Sequence, residues 1–569
     1  MIALRLDRVT ITYSGAPVFA DLSWAVHDDR VVGLIGPNGS GKSTLLALMT
    51  GDLHADGGTD AGTVVRARGL SVGLLPQEPR FAPGHTVWEE ALTASEALQE
   101  IEAQLHEIEA RLGAPAVYED ERRLASALAQ QEGLLSEYEQ IGGPAYEGRL
   151  RATLLSLGFQ ARDLTLPVDA LSGGQKKLLA LAKLMVVQPD LLLLDEPDNH
   201  LDLSAKAFLE QYIRGYKGGV VIISHDRFLL DMVADEIVEL DHGRLTAYPG
   251  NYSEYAVVKA HERARQQQQF QAQQKEIRRL EQSAERLMTW GKIYDNPKFS
   301  RRGQAILKRL EQMDRVEAPP QERRRMGLEL AGWRGSDKVL EIRDLWKAFE
   351  NPAGGEDIVL AGLDLLLWHG ERVGIVGPNG AGKSVLLRLI LGQEALTAGE
   401  IRIGPSVRIG VYAQQHETLN PGLSLIETMA KRANLPEYAA IPFLGRFLFP
   451  YEQALKPVAT LSGGEKGRLQ MALLMLSGAN LLLLDEPTNN LDIPSAEVLE
   501  EALESFEGTV LVVSHDRYLL DRIVQRVVAL EEGTAASYAG GYSFYEAERM
   551  RKAQNSGESL EPRRRSERL

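Results

Sequence analysis

Apolar residues along this chain fall into short unbroken runs, and the runs recur in the same order in each half. Arg30-Val-Val-Gly-Leu-Ile35, Leu191-Leu-Leu-Leu194 and Val220-Val-Ile-Ile223 reappear as Arg372-Val-Gly-Ile-Val376, Leu481-Leu-Leu-Leu484 and Val510-Leu-Val-Val513. Runs of this length with no polar alternation predict strands buried on both faces, as in parallel sheets covered by helices. The first is followed by Thr44-Leu-Leu-Ala-Leu-Met49, which predicts a helix. Between the halves the pattern changes. Tyr255 to Trp290 has no proline and is mostly polar, with Phe270, Ile277 and Ala284, and offset from them Leu280 and Leu287, in a heptad-like seam. Beyond Gly291 to Pro297, Ile306, Leu310 and Met313 follow at helical spacing. Two polar helices sharing one thin seam predict an antiparallel hairpin standing in solvent, reaching on the order of 50 Å at 1.5 Å per residue. From Ala318 to Arg325 the chain reads as extended.

The repeat extends to motifs. Gly36-Pro-Asn-Gly-Ser-Gly-Lys-Ser43 returns as Gly377-Pro-Asn-Gly-Ala-Gly-Lys-Ser384, an offset of 341. Leu171-Ser-Gly-Gly-Gln, Leu194-Asp-Glu-Pro197 and Ser224-His-Asp-Arg227 return at 290 as Leu461-Ser-Gly-Gly-Glu, Leu484-Asp-Glu-Pro487 and Ser514-His-Asp-Arg517. Gln77 matches Gln414 at 337, so the first half carries 47 extra residues between this glutamine and Leu171. They fall in a Glu/Leu/Ala-rich stretch, about 89–142, that predicts paired amphipathic helices broken at Gly113-Ala-Pro115. Charge patterning does not separate a solvated decoration from a docking arm. The expected division is a first cassette over 1–250, a basic linker over 251–325, a second cassette over 326–546 and a basic, disordered tail over 547–569.

Charge is segmented. The net value is −16, yet Lys259 to Arg325 holds 17 Lys and Arg against 9 acids, and Glu89 to Leu150 holds 14 acids against 4 arginines. The chain has no cysteine, which excludes thiolate metal sites and disulfides and fits a cytoplasmic location. It shows no signal-like opening and no apolar run near the ~20 residues of a membrane helix.

Each Gly-x4-Gly-Lys-Ser follows a strand and opens a helix, the context in which backbone N–H groups and a helix N-terminus cradle phosphates. Lys42 and Lys383 would reach the β/γ-phosphates, and Ser43 and Ser384 would ligate Mg²⁺. Gly36, Asn38, Gly39, Gly41 and Thr44, and Gly377, Asn379, Gly380 and Gly382, complete the loops. At the ends of the leucine strands, Asp195 and Asp485 would hold Mg²⁺, while Glu196 and Glu486 would polarise the attacking water. His225 and His515 recur in register with these carboxylates, which favours a γ-phosphate contact over a purely structural role.

Ser172-Gly-Gly174 and Ser462-Gly-Gly464 resemble the signature motif of ABC ATPases, in which one cassette's signature caps the ATP held by the other. The resemblance implies an α/β fold of two P-loop ABC cassettes joined by an α-helical hairpin, with a helical arm inserted in the first. It implies one site of the Gly36 loop, Gln77, Asp195, Glu196 and His225, completed by Ser462, Gly463 and Gly464. The other would be the Gly377 loop, Gln414, Asp485, Glu486 and His515, completed by Ser172, Gly173 and Gly174. Gln77 and Gln414 would also approach the metal, and Asp202 and Asp492 match the family's D-loop. Tyr13 and Phe349 stand where the family stacks an aromatic on adenine, or they are ordinary strand packing. Two departures mark the first cassette: Asp198 stands where the second has Thr488, which puts an extra acid beside Glu196, and Lys177 replaces the usual small polar residue.

Pro249-Gly-Asn-Tyr-Ser-Glu-Tyr255, the charged linker and Asp485-Glu-Pro-Thr-Asn-Asn-Leu-Asp492 resemble the ABC-F family. That resemblance implies an ATPase translation factor closing intramolecularly on two ATP, with the ribosome (rRNA and tRNA) as partner. Its hairpin would approach P-site tRNA and the peptidyl-transferase centre. At the hairpin tip, Trp290, Lys292, Tyr294, Asn296, Lys298, Phe299, Arg301 and Arg302 interleave aromatics with cations, which suits stacking on unpaired bases and phosphate contacts. Trp290 and Phe299 closing the turn, with a solvated charged face, is the alternative. Antibiotic resistance by target protection, a transporter ATPase subunit and a DNA-binding repair or transposition factor remain rival functions.

Overall fold

The computed structural model describes all residues except 14–15, 54–61, 119, 141–142, 200, 295–296, 314–329, 331–334, 351–354, 414–418, 490 and 556–569. Each half is built on a six-stranded sheet. In the first the strand order is Val72–Leu75, Leu191–Asp195, Gly219–Ile223, Val31–Ile35, Glu236–Asp241 and Arg244–Pro249. In the second it is Ile409–Tyr412, Leu481–Asp485, Thr509–Val513, Arg372–Val376, Arg526–Glu531 and Thr534–Ala539. All neighbours run parallel except the last pair of each sheet. The leucine runs explain themselves here. Leu192 and Leu194 point into one core with Leu179, Ile213 and Leu229, while Leu191 and Leu193 point into another with Leu4, Leu45 and Leu48. All four are fully buried, each contributing about 1.5–3 kcal/mol of transfer free energy. A three-stranded antiparallel sheet covers each half: Ile2–Tyr13, Ala16–His27 and Thr63–Arg66, then Lys338–Glu350, Glu356–Trp368 and Ala398–Ile403.

The inserted arm is Glu96–Leu112 packed against Glu121–Gln140, with a short helix Pro115–Tyr118 at the predicted break. It is shorter than the expected 89–142. Residues 89–92 belong to the helix Val87–Leu92, whose Thr86/Glu89 capping box is repeated by Ser424 and Glu427 ahead of Leu425–Ala433. That helix is therefore part of the common cassette.

The linker is the helix Tyr252–Ile293, 42 residues or about 60 Å long, turning back into Pro297–Glu311. Seam residue Ala284 is buried, and Gly303 packs so closely that a Cβ there would lie 2.7 Å from Met288 Cγ. The extended stretch expected after it lies outside the described residues. At its base, Tyr255 stacks edge-on against Tyr248 and donates its hydroxyl to Glu239 at 3.1 Å. The second cassette repeats this anchor with Tyr538, Tyr542 and Tyr545. The anchor starts a helix, Tyr542–Asn555, so residues 547–555 are helical where the sequence suggested a disordered tail.

Candidate nucleotide sites between the cassettes

Because the strands ending at Ile35, Asp195 and Ile223 lie side by side and parallel, their C-terminal ends bring the phosphate loop, the Asp-Glu pair and His225 to one edge. The second sheet does the same. The loops need glycine at Gly41 and Gly382, where φ is 100° and 91° and a Cβ would fall 2.5 Å from Val18 Cγ1 or 2.7 Å from Val359 Cγ1. Lys42 Nζ donates to the Gly36 and Pro37 carbonyls at 2.9 and 3.0 Å, and Lys383 Nζ to Gly377 and Pro378 at 2.8 and 2.9 Å. Burial pulls both ammonium pKa values down while the neighbouring carboxylates oppose it, a charge waiting for phosphate in a low-dielectric setting.

Glu196 and Glu486 follow the strands at φ 49° and 48°, the left-handed region that a non-glycine residue occupies at a cost of about 1–3 kcal/mol. Each backbone N–H is held by the next strand, on Ile223 and Val513 at 2.8 Å. The Glu196 carboxylate accepts from Gln77 at 2.8 Å and Asn199 at 2.6 Å, with His225 Nε2 at 3.7 Å. Gln77 thus holds the carboxylate that the sequence paired with water. Glu486 accepts from the His515 backbone at 3.2 Å, with His515 Nε2 at 3.5 Å. Burial, then Asp485, pushes Glu486 up to about 7; burial, then Asp195 and Asp198, raises Glu196. Burial, then Lys42, lowers His225 to about 4, and burial carries His515 well below its usual value. Both imidazoles are neutral at pH 7 and suited to accept or donate one hydrogen bond.

Asp195 Oδ1 is buried with no hydrogen-bond partner among the described residues, and Ser43 donates to this carboxylate. A hydroxyl beside an oxygen awaiting a ligand fits Mg²⁺. Ser384 occupies the matching first turn, in Lys383–Ile390, and Asp485 the matching strand end. Gln414 lies outside the described residues. Phe349 is exposed, with Lys347 Nζ 4.4 Å from its ring centroid, and Tyr13 ends its strand opposite Ala16.

Ser172 and Ser462 are N-caps of Gly173–Val187 and Gly463–Leu476, each in a capping box with Gln175 or Glu465, so Gly173, Gly174, Gly463 and Gly464 form bare helix N-termini. Asp202 and Asp492 cap the helices Leu203–Arg214 and Ile493–Ser505 with one carboxylate oxygen and reach the opposite cassette with the other. Asp202 Oδ2 accepts from Asn379 N at 3.2 Å and Asp492 Oδ2 from Asn38 N at 3.4 Å. They grip the partner loop's backbone. Behind them lie pairs the sequence did not assign: Arg227 with Glu500, and Arg517 with Glu210 at 2.8 Å, all four buried. The motif Ser-His-Asp-Arg contains both arginines, but no local pattern identified partners on the other cassette.

Asp198 is buried, accepts from Ser224 Oγ at 2.7 Å, and is raised in pKa by burial and then Asp226. Lys177, also buried, donates to the Glu196 backbone carbonyl at 2.6 Å. The two departures are therefore interior to the first cassette.

Two phosphate loops, each gripped by an aspartate of the other cassette within one chain, define a tandem ABC ATPase. Residues 19–199 and 360–489 match the ABC transporter family, and residues 238–328, spanning much of the linker, match a further ABC transporter model. No described helix is long and apolar enough to cross a membrane. The chain belongs to the ABC-F family and is an ATPase. It is 35% identical over 547 residues to the putative ATP-binding protein YdiF of Bacillus subtilis, covering 96% of this chain and 82% of that one. It is 34% identical over 559 residues to the energy-dependent translational throttle protein EttA of Escherichia coli K12, covering 96% and 95%. ABC transporter F family member 5 of Arabidopsis thaliana is 34% identical over 95% of this chain and 77% of its own length. An archaeal ribosome recycling factor solved with a ribosomal stalk protein shares the fold at TM-score 0.59, 18% identity and 96% and 92% coverage.

Proposed function

We propose that this ATPase is a cytoplasmic translation factor that acts on the ribosome, its two cassettes closing within one chain on two ATP while the linker hairpin reaches toward P-site tRNA and the peptidyl-transferase centre. Glu196 and Glu486 polarise the attacking water, and His225 and His515 face the γ-phosphate. Lys42 and Lys383 hold the β/γ-phosphates. Ser43 with Asp195, and Ser384 with Asp485, would hold Mg²⁺, which neutralises phosphate charge when bound. Each site is completed by the opposite signature, Ser462-Gly463-Gly464 or Ser172-Gly173-Gly174.

The observation that carries the reading is the linker. Its base is tied to both cassettes: Ser253 Oγ donates to Asp231 at 2.7 Å, and Tyr518 of the second cassette donates to the same carboxylate at 2.7 Å. Its far end presents Tyr294, 69% exposed, and Ile293, 67% exposed, beside Lys292, Arg301 and Arg302. Trp290 packs edge-on to Phe299 at 6.3 Å while remaining 43% exposed, and Tyr294 is the more open ring for stacking on a base. The resemblance to a translational throttle protein over nearly the whole chain supports a role in translation.

Affinity capture of Glu196→Gln/Glu486→Gln with ATP from lysate tests the class. Ribosomal RNA in the captured fraction, lost on deleting Trp290 to Phe299, is the expected result. A membrane permease or DNA in its place would overturn it.

A further inference from the structure

Two buried charges of the first cassette act on one another beside the interface, and neither has a counterpart in the second. At the repeat offset of 290, Asp198 and Lys206 correspond to Thr488 and Ala496. Lys206 lies one turn after Asp202 in the helix Leu203–Arg214. Its Nζ donates to Asp226 Oδ2 at 2.8 Å and, across the interface, to the backbone carbonyl of His515 at 3.1 Å. Asp198 is fixed behind it by Ser224, and Asp198 and Asp226 are the acids acting most strongly on the ammonium. An ammonium buried this deeply needs such counter-charges, or it would cost far more than a polar surface lysine.

We propose that Lys206 is a positioning residue of the second ATP site, supplied in trans by the first cassette, and that Asp198 is its buried counter-charge. The inference rests on reading Glu486 and His515 as that site's machinery. One helix start delivers two contacts to the second site, Asp202 to the phosphate loop and Lys206 to the backbone that carries His515. Among the described residues, the matching helix start of the second cassette returns Asp492 alone, because the methyl of Ala496 cannot reach His225. This contact therefore makes one part of the coupling between the sites one-sided. The acid that looks misplaced beside Glu196 serves the opposite site.

The test isolates each site: Glu196→Gln leaves the second site working, and Glu486→Gln leaves the first. Lys206→Met, which keeps the length and removes the charge, is added to each, and single-turnover phosphate release is followed at saturating ATP alongside fluorescent-nucleotide affinity. The second site should slow about tenfold with nucleotide affinity unchanged, while the first stays within about twofold. Lys206→Arg should recover part of the loss. Asp198→Thr/Lys206→Ala, which installs the second cassette's own pair, should restore thermal stability without restoring the second site's rate. Equal slowing of both sites, or none at the second, overturns the inference. Turnover surviving in Glu196→Gln/Glu486→Gln would instead overturn the catalytic reading on which it rests.

Discussion

Asp202 of the first cassette accepts a hydrogen bond from the backbone N–H of Asn379 in the second, at 3.2 Å. The same carboxylate caps its own helix by accepting from Ala205 N at 2.9 Å. One side chain thus starts a helix and fastens it to the neighbouring phosphate loop, so the loop's shape depends on closure. Asp492 does the same for Asn38.

The double role can be separated at Asp492. Asp492→Ala removes the cap, costing about 1 kcal/mol, together with the contact to Asn38. Asp492→Ser keeps a cap but is too short to reach across. Calorimetry should show a lowered melting temperature only for alanine, while phosphate release should fall in both. Full activity in the serine variant would confine Asp492 to capping.

The buried ion pairs predict an unequal response. Glu500 binds Arg227 and also Arg522, the latter at 3.0 Å. Glu500→Ala strands the buried Arg227 guanidinium, while the exposed Arg522 keeps Glu504, and should cost about 3–5 kcal/mol. Arg227→Ala leaves Glu500 with Arg522 and should cost less, although it also removes a ring contact 4.6 Å from Tyr518. Urea unfolding of the two variants gives the ranking, and solution scattering should show the cassettes parting in Glu500→Ala.

Glu486 makes the fold pH-sensitive. Its pKa is pushed up to about 7 from 4.5. A carboxyl raised on folding contributes stability that is complete below its unfolded value and is lost as pH rises through about 7. In chelator without nucleotide, Glu486→Gln should therefore raise the melting temperature more at pH 8 than at pH 5. A gain that is equal at both would show that the carboxyl titrates normally.

The hairpin separates charge from stacking. Alanine at Lys292, Lys298, Arg301 and Arg302 should flatten the salt dependence of ribosome binding, since fewer counterions are released. Tyr294→Ala should weaken binding at every salt concentration, by about 1–3 kcal/mol if it stacks on a base. Trp290→Ala should also weaken binding, but through the turn it shares with Phe299. Co-sedimentation across a salt series distinguishes them, and identical slopes in all variants would contradict the division.

What was legible in the sequence was local. Gly36 to Ser43 declares its turn, its helix start and its lysine within eight residues, and parallel strand order brings Glu196 and His225 to it. The arm starts later than the sequence suggests because Glu89 reads as part of an acidic helix, whereas its carboxylate completes Thr86's capping box in a helix both cassettes share. The last helix was hidden by its charge, since Tyr542 and Tyr545, not composition, anchor it. Contacts between cassettes were not legible at all. Lys206 and His515 lie 309 positions apart, and no spacing rule links them. Asp198 is visible in the sequence only as an exception, because its partners Ser224 and Lys206 stand on other elements of the same cassette.

The central claim is that each ATP is held by one cassette and completed by the other. It is tested most directly by blocking one signature at a time while only the first site can turn over. In a Glu486→Gln background, Ser462→Arg should abolish single-turnover hydrolysis, with a loss of about 10²-fold or more as expected for removing a preorganised transition-state contact. Ser172→Arg, in the same cassette as Glu196, should leave that site's rate largely intact. The reverse result, with Ser172→Arg silencing the first site and Ser462→Arg sparing it, would contradict the account.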